Sequence, residues 1–281
     1  MAKTALALKV CLAMLAFAAN SILCRLALKG GHIDPFSFSS LRLLSGALVL
    51  LPFLFLHTRT SLSVWRPLSG FYLMVYAVLV SVAYIHLDTG AGALLLFGAV
   101  QFAMVMYGLF KGESLSVLRA SGLMLALAGI AILLLPGAKA PPIFSAVLMI
   151  VAGLAWAAYS ITGRKTQNAG ASTAANFVMA VPMALILSVL SIKEGHYDAA
   201  GISLSLLSGA VASAGAYVLW YTLLPSLASI TASTLQLSVP CLAMLGGVVF
   251  LGESLTSRMV FSALAVLVGI VMVTQEKKPT V

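Results

Sequence analysis

The chain has 281 residues, of which 62% are hydrophobic and only 8% are charged. A water-soluble domain carries about 25% charged residues, so this composition excludes a soluble protein and indicates an integral membrane protein. The formal net charge is +9, but the basic residues stand singly between apolar runs. They therefore predict positive cytoplasmic loops in a lipid bilayer rather than a surface that binds nucleic acid.

Ten apolar runs are long enough for membrane helices, which need about 20 residues each. The first run is expected to be retained rather than cleaved as a signal peptide, because it continues through Leu28. We predict an all-α integral membrane protein with ten transmembrane helices. The predicted spans are residues 8–28, 36–57, 67–87, 91–110, 116–135, 143–163, 172–192, 201–223, 227–250 and 256–274.

A tetrapeptide is repeated at half the length of the chain. Gly112-Glu113-Ser114-Leu115 recurs as Gly252-Glu253-Ser254-Leu255, an offset of 140 residues. At that offset, residues 90–132 and 230–272 are identical at eleven of 43 positions. Span 1 also matches span 6 at eight of 13 positions. These matches predict two five-helix repeats, residues 1–137 and 143–281, joined by a linker at 138–142.

An odd number of spans gives the second repeat the opposite orientation in the membrane. With the N-terminus inside, ten Lys and Arg residues fall on the inner side and six on the outer side or in the adjoining helix ends. This bias predicts a multi-pass protein of the cell (inner) membrane with both termini in the cytoplasm. Inverted repeats suit alternating access to a central site, so the duplication itself favours transport.

With these features together, the chain resembles the EamA family of the drug/metabolite transporter superfamily. The resemblance is carried by Gly112-Glu113, Gly252-Glu253, Arg42 and the run from Leu154 to Ser160 in span 6. It covers nearly the whole chain and implies efflux of amino acids or related small metabolites. Span 1 departs from the family pattern, with Phe17 and Asn20 where members often carry Trp, so the resemblance does not specify the substrate.

The Gly-Glu motifs are expected to be structural. Gly112 and Gly252 allow a sharp turn, and Glu113 and Glu253 are expected to cap the start of the helix that follows, where the helix dipole favours a carboxylate. Arg25 and Arg42 are costly inside a span unless they face a cavity or a partner. Both lie near predicted span ends, so snorkelling to the interface is the alternative. Asp88 is a candidate partner for one of them.

Polar and aromatic residues inside the spans are the candidates for a substrate pathway, because buried amides need partners and aromatic faces can stack on a substrate. Interfacial anchoring or helix packing would explain some of them instead. The pathway candidates are Asn20, Arg42, Tyr76, Tyr84, His86, Gln101, Trp156, Tyr159, Tyr217, Trp220 and Gln236. Asn176 and Tyr221 are further candidates.

The sequence thus favours an exporter of small metabolites that works by alternating access. A membrane-embedded enzyme and a non-transporting scaffold are the alternatives. The sequence has no intramembrane pair of aspartates, no His-Glu-x-x-His and no Gly-x-Ser-x-Gly motif, so no catalytic residue is predicted. No metal and no cofactor are predicted either, and the expected partners are a small-molecule substrate and the lipid bilayer, not nucleic acid. A homodimer is compatible with the sequence.

Overall fold

A computed structural model describes residues 3–55, 64–113, 115–134, 141–191 and 195–274. Within those ranges the regular structure is helical. The predicted span end near His57, Ser114 of the first tetrapeptide, most of the linker 138–142 and the polar tail after residue 274 lie outside the described residues.

The first half of the chain contains five helices. They are α1 (Lys3–Lys29), α2 (Pro35–Phe55), α3 (Pro67–Ala83), α4 (Thr89–Phe110) and α5 (Val117–Leu134). Proline stands at the first position of α2 and α3, where its missing N–H leaves no hydrogen bond unmade.

The second half contains seven helical pieces. They are α6 (Ile143–Gly163), α7 (Ala169–Leu190), α8 (Ala199–Leu207), α9 (Ala216–Leu223), α10 (Ser229–Gln236), α11 (Ser238–Leu251) and α12 (Ser257–Thr274). A π-helical segment (Ser208–Gly215) joins α8 to α9 without a break. The break between α10 and α11 follows from Pro240, because proline cannot donate to the carbonyl of residue 236 and clashes with it.

Helix length and composition fit a membrane protein. Among the described residues, seven helical segments are long and apolar enough to cross a bilayer, with α8 to α9 and α10 to α11 each counted as one. Three shorter apolar helices, α3, α5 and α12, bring the total to ten. Large apolar side chains face outward along these helices, including Leu48, Phe110, Val117 and Ile143. An exposed apolar surface on this scale is suited to lipid and not to water.

The helices of the two halves interleave. Helix α5 packs along α12, α2 along α7, and α4 against α11. In addition, α3 and α4 pack on α6, while α1 packs on α9 and α11. The core therefore lies between the halves rather than within either one. At the α5–α12 contact, Gly122 and Gly269 leave room for each other's backbone carbonyl, as small residues do where membrane helices pack closely.

Both glycines of the repeated motif adopt a left-handed backbone. Gly112 has φ 81° and Gly252 has φ 64°. Side-chain-bearing residues pay a steric penalty in that region, which explains why glycine ends α4 and α11 and turns the chain toward the next helix.

Candidate functional site

A cluster of aromatic rings occupies the middle of the bundle. Trp156 of α6 lies at the centre, with its ring centroid 4.8 Å from those of both Tyr76 and Tyr217. The ring of Phe17 meets Trp156 edge-on at 5.3 Å, and Tyr159 stacks on Trp156 at 5.4 Å. These rings come from α1, α3, α6 and α9, so both halves of the chain build the cluster. All of these rings are buried.

Arg42 places a positive charge against these rings. Its side chain on α2 is 1% exposed. Its Nη2 donates to the Tyr217 hydroxyl at 2.6 Å and its Nε donates to Ser213 Oγ at 3.1 Å. The guanidinium carbon lies 5.3 Å from the centroid of the Tyr76 ring, in the range of a cation–π contact.

Further hydrogen bonds fix the polar groups around the rings. Asn20 Oδ1 on α1 accepts from Ser208 Oγ at 2.6 Å and from Ser213 Oγ at 3.3 Å. Trp156 Nε1 donates to Gln236 Oε1 at 2.7 Å, and Trp220 Nε1 donates to Ser160 Oγ at 3.1 Å. We call the set of Phe17, Asn20, Arg42, Tyr76, Trp156, Tyr159, Ser213 and Tyr217 the central cluster.

Gly209 of the π-helical segment allows α2 to approach the cluster. A Cβ atom at this position would lie 2.0 Å from the carbonyl oxygen of Arg42 and 2.0 Å from Ser45 Oγ. Gly215, at the other end of the same segment, has nothing within 4 Å of its would-be Cβ. The backbone contact at Gly209 therefore sets the distance between α2 and the serines that Arg42 and Asn20 use.

We expect Gly209→Ala to lower the free energy of unfolding by about 1–3 kcal/mol or more, as overpacking a tight interior does. Gly215→Ala, the matched control, should be neutral or slightly stabilising, because it fills open space at an ordinary helical φ. Thermal unfolding of both variants in detergent checks this. Equal unfolding midpoints would contradict the close approach at Gly209.

A second buried arginine lies near one end of the bundle and is fully compensated. Arg25 Nε lies 3.3 Å from Glu253 Oε1, and its Nη2 lies 3.4 Å from Asp88 Oδ1. Arg25 Nη1 also donates to the carbonyl oxygens of Tyr84 and Ile85 at 2.7 and 2.9 Å. Asp88 is therefore a partner of Arg25 rather than of Arg42.

The two motif glutamates cap helices, but not the helices that follow them. Glu253 accepts from the backbone N–H and hydroxyl of Thr89 at 2.9 and 3.1 Å, at the start of α4. Glu113 accepts from the backbone N–H groups of Ser229 and Ile230 at 2.7 and 3.0 Å, at the start of α10. The expectation that each caps its own next helix is wrong, because α5 and α12 begin only at Val117 and Ser257.

Loops from the two halves meet at one end of α7. Asp34 N–H donates to the His196 carbonyl at 2.9 Å, and Asp198 N–H donates to the His32 carbonyl at 2.8 Å. Ile33 and Tyr197 form an antiparallel β-bridge between these residues. His32 Nδ1 lies 2.8 Å from Asp198 Oδ2. The pKa of Asp198 is lowered below its usual value, mainly by the hydrogen bond from the Gly201 backbone N–H and to a smaller extent by His32. We call residues 32–34 with 196–198 the loop latch.

Polar groups meet at the opposite end of α7. Arg66 Nη1 donates to the Thr162 carbonyl at 3.1 Å, and Ser69 Oγ donates to Thr162 Oγ1 at 3.1 Å. They line a cavity of about 10 Å³, roughly the space of one water molecule. Asn176 and Tyr221 form its inner wall, and Tyr221 donates to the carbonyl oxygen of Tyr159 at 3.0 Å. This polar cavity therefore adjoins the central cluster.

The structure brings most of the predicted pathway residues together and separates others. Asn20, Arg42, Tyr76, Trp156, Tyr159 and Tyr217 are members of the central cluster, and Trp220 and Gln236 contact it. Gln101 instead donates to Thr234 between α4 and α10 at 3.3 Å. Tyr84 lies beside the Arg25 ion pairs, and its hydroxyl donates to the Thr89 carbonyl. His86 is exposed, because α3 ends at Ala83 and leaves it in a turn.

Three members or neighbours of the cluster were not among the sequence candidates for the pathway. Phe17 contacts two rings of the cluster and the ring of Trp220 beside it. Ser213 forms hydrogen bonds with Arg42 and Asn20, and the ring of Phe177 on α7 lies 5.7 Å from that of Tyr217. Phenylalanine and serine are common in these apolar helices, so residue type alone does not distinguish them. Ser213 also lies in the π-helical segment, whose register the ordinary helical spacing does not predict.

A helical bundle with lipid-facing apolar surfaces and a buried polar and aromatic centre defines a multi-pass membrane protein. The chain matches the model of the EamA-like transporter family over residues 4–135 and again over 143–275. It belongs to that family, as its sequence resemblance indicated. Membership identifies a membrane transporter and implies a small-molecule substrate and a membrane lipid environment.

The chain is also similar to curated proteins and to a solved structure along most of its length. The chain is 47% identical to an uncharacterized protein of Pseudomonas aeruginosa, over 93% of this chain and 92% of that one. It is 27% identical to an uncharacterized transporter of Archaeoglobus fulgidus, over 83% and 84% of the two chains. It is 24% identical to the uncharacterized transporter YoaV of Bacillus subtilis, over 86% and 88%. A crystal structure at 17% identity shares the fold, with a TM-score of 0.68 over 94% and 97% of the chains.

Proposed function

We propose that the protein exports small metabolites, amino acids or related organic solutes, from the cell by alternating access. The substrate binds at the central cluster between two inverted five-helix repeats. The observation that carries this proposal is the composition of the cluster: buried polar and aromatic side chains from both halves converge on one point of the bundle. Relative movement of the halves would separate these groups and open the site.

The central cluster is suited to a small amphipathic solute. Its rings offer flat apolar faces, and Arg42, Asn20 and the Tyr217 hydroxyl offer hydrogen-bonding groups within the same cluster. Binding sites for small molecules commonly combine mostly apolar walls with a few placed polar groups. In this structure the rings contact one another, so substrate binding requires them to move apart.

The helix contacts support inverted repeats. Under the offset of 140, Glu113 corresponds to Glu253 and Thr89 to Ser229. Each glutamate caps the helix of the other half, Glu113 at Ser229 and Glu253 at Thr89. Helix packing follows the same correspondence between the halves. Helices α3 and α4 of the first half contact α6, and their counterparts α9 and α11 of the second half contact α1, the counterpart of α6. Reciprocal contacts of this kind are expected when two similar halves are related by a pseudo-twofold axis.

The two ends of the pathway supply the gates. The loop latch closes one end, and the contact of Arg66 and Ser69 with Thr162 closes the other, with α7 running between them. Both contacts join the first half of the chain to the second. We assign the loop latch to the outer face and the Arg66 end to the cytoplasmic face, because the Lys and Arg bias favours an inner-membrane protein with both termini in the cytoplasm. A homodimer would leave this pathway within each chain.

Counterflow into liposomes tests the proposed function. Purified protein is reconstituted with unlabelled L-amino acids inside, and entry of the labelled counterparts is followed for leucine, phenylalanine, threonine and lysine. We expect protein-dependent uptake of at least one. If no member of the panel, and no related organic acid or amine, moves faster than in empty liposomes, the proposed function is wrong.

A further inference from the structure

The structure contains two buried arginines with opposite electrostatic surroundings. Arg25 is 6% exposed and touches two carboxylates and two backbone carbonyls. Arg42 is 1% exposed, and its contacts are neutral: the hydroxyls of Ser213 and Tyr217 and the face of the Tyr76 ring. Within the described ranges, no Asp or Glu forms an ion pair with Arg42.

An uncompensated charge at this depth is energetically expensive. Removing a cation from water costs several kcal/mol after relaxation, and arginine within a membrane span is costly on every scale. Two hydroxyl contacts and one ring face offset only part of that cost. Arg25 is paired with two carboxylates in the same structure, whereas none of the ion pairs found in the described residues involves Arg42.

Arg42 also has an unused hydrogen-bond donor. Arg42 Nη1 is buried and lacks a hydrogen-bond partner among the described residues. Buried polar groups without partners are rare in folded proteins and point to a ligand. An unused N–H on a buried guanidinium fits an anion.

We propose that Arg42 binds the carboxylate of the transported substrate, which supplies the counter-charge that the fold omits. This inference rests on the proposed function and deepens it by naming the substrate class. A guanidinium matches a carboxylate by paired hydrogen bonds. A carboxylate is favoured over a phosphate, because Arg42 supplies one positive charge to the cluster and a phosphate dianion would stay uncompensated. The aromatic rings then take the rest of the solute.

Matched acid and amide ligands test this without altering the protein. The probes are L-leucine with L-leucinamide and L-phenylalanine with L-phenylalaninamide, which differ in the carboxylate and otherwise keep their shape. Each competes with labelled counterflow of the amino acid that the protein transports best. We expect the acid to inhibit at a concentration about 10- to 100-fold lower than the amide, the range of hydrogen bonds to charged groups. Methylphosphonate and inorganic phosphate should not compete.

Variants of Arg42 complete the test. In Arg42→Gln the preference for acid over amide should fall to within about twofold, while Arg42→Lys keeps the charge without the paired geometry and should retain part of it. Lys111→Gln removes an exposed charge outside the cluster and should keep the full preference. Equal inhibition by acid and amide in the wild-type protein overturns the inference but not the transport function. Stronger competition by phosphate than by the acid also overturns the inference. If the wild-type protein transports none of the tested solutes, the inference and the proposed function are both wrong.

Discussion

Replacing Glu253 by alanine should destabilise the protein by about 3–5 kcal/mol, the cost of removing one partner of a buried ion pair. Glu253 serves two structures at once: it neutralises Arg25 at 3.3 Å and it caps α4 at Thr89. The substitution leaves Arg25 with Asp88, whose side chain is 55% exposed, as its remaining carboxylate. The free energy of unfolding in mixed micelles, from thermal or denaturant titration, measures the effect.

Glu113→Ala is the matched control for this loss. Glu113 occupies the corresponding position of the first motif and caps α10 through two backbone N–H groups. None of the ion pairs found in the described residues involves it. Loss of a helix cap costs about 0.5–2 kcal/mol. The Glu253 variant should therefore unfold at clearly milder conditions than the Glu113 variant, and equal losses would show that Arg25 does not depend on Glu253.

Trp156→Ala should have the largest effect on substrate recognition. Trp156 is 2% exposed and contacts Phe17, Tyr76, Tyr159 and Tyr217. Removing a central anchor of a binding site costs at least about 2 kcal/mol, which corresponds to roughly 30-fold weaker binding. We expect this loss for solutes with large or aromatic side chains and a much smaller one for alanine or glycine. Competition against labelled counterflow gives the affinities.

Trp156→Phe separates the ring from its hydrogen bond. It keeps an aromatic face toward Tyr159 and Tyr217 but leaves Gln236 Oε1 without the indole N–H at 2.7 Å. We expect an intermediate affinity for aromatic solutes. Trp156→Ala also opens a cavity and should lower the free energy of unfolding by about 3–5 kcal/mol, so thermal unfolding is measured alongside. Affinity losses that are equal for large and small solutes would exclude a role of Trp156 in lining the site.

The helical architecture could be predicted from the sequence because apolar runs, and the polar, glycine and proline residues that separate them, are local signals. The ten predicted spans correspond to the seven long and three shorter apolar helices of the described residues. Local signals are weaker at helix ends. Span 3 was predicted to reach residue 87 but ends at Ala83, and this difference moves His86 from the membrane interior to an exposed turn.

Long-range partners could not be predicted. Glu253 pairs with Arg25 and Thr89, which are 228 and 164 residues away along the chain. The local helix-dipole argument predicts that each glutamate caps the helix that follows it. Packing between the halves instead places Glu253 at the start of α4 and Glu113 at the start of α10. By contrast, the cost of a buried arginine holds in any fold. That argument predicts that Arg25 and Arg42 either face a cavity or partner or snorkel to the interface, and the structure shows both side chains buried.

The π-helical segment also could not be predicted from the sequence. Its residues, Ser208–Gly215, are small and otherwise suit an ordinary helix. Wider turns often occur at functional sites, and here the segment presents Ser208 and Ser213 to Asn20. The register that brings Ser213 within reach of Arg42 depends on this local change, which no periodicity in the sequence indicates.

A reversible cross-link across the loop latch tests the central claim that the two halves must separate for transport. Residues 33 and 197 form an antiparallel bridge, whose Cα separation of about 4.5–5.5 Å suits a disulfide. Ile33→Cys and Tyr197→Cys are combined in a chain whose Cys11, Cys24 and Cys241 are replaced by alanine, with the Ile33→Cys single variant as control. We predict that oxidation abolishes counterflow in the double variant alone and that a reductant restores it. Undiminished counterflow through the fully cross-linked protein would contradict alternating access between the halves.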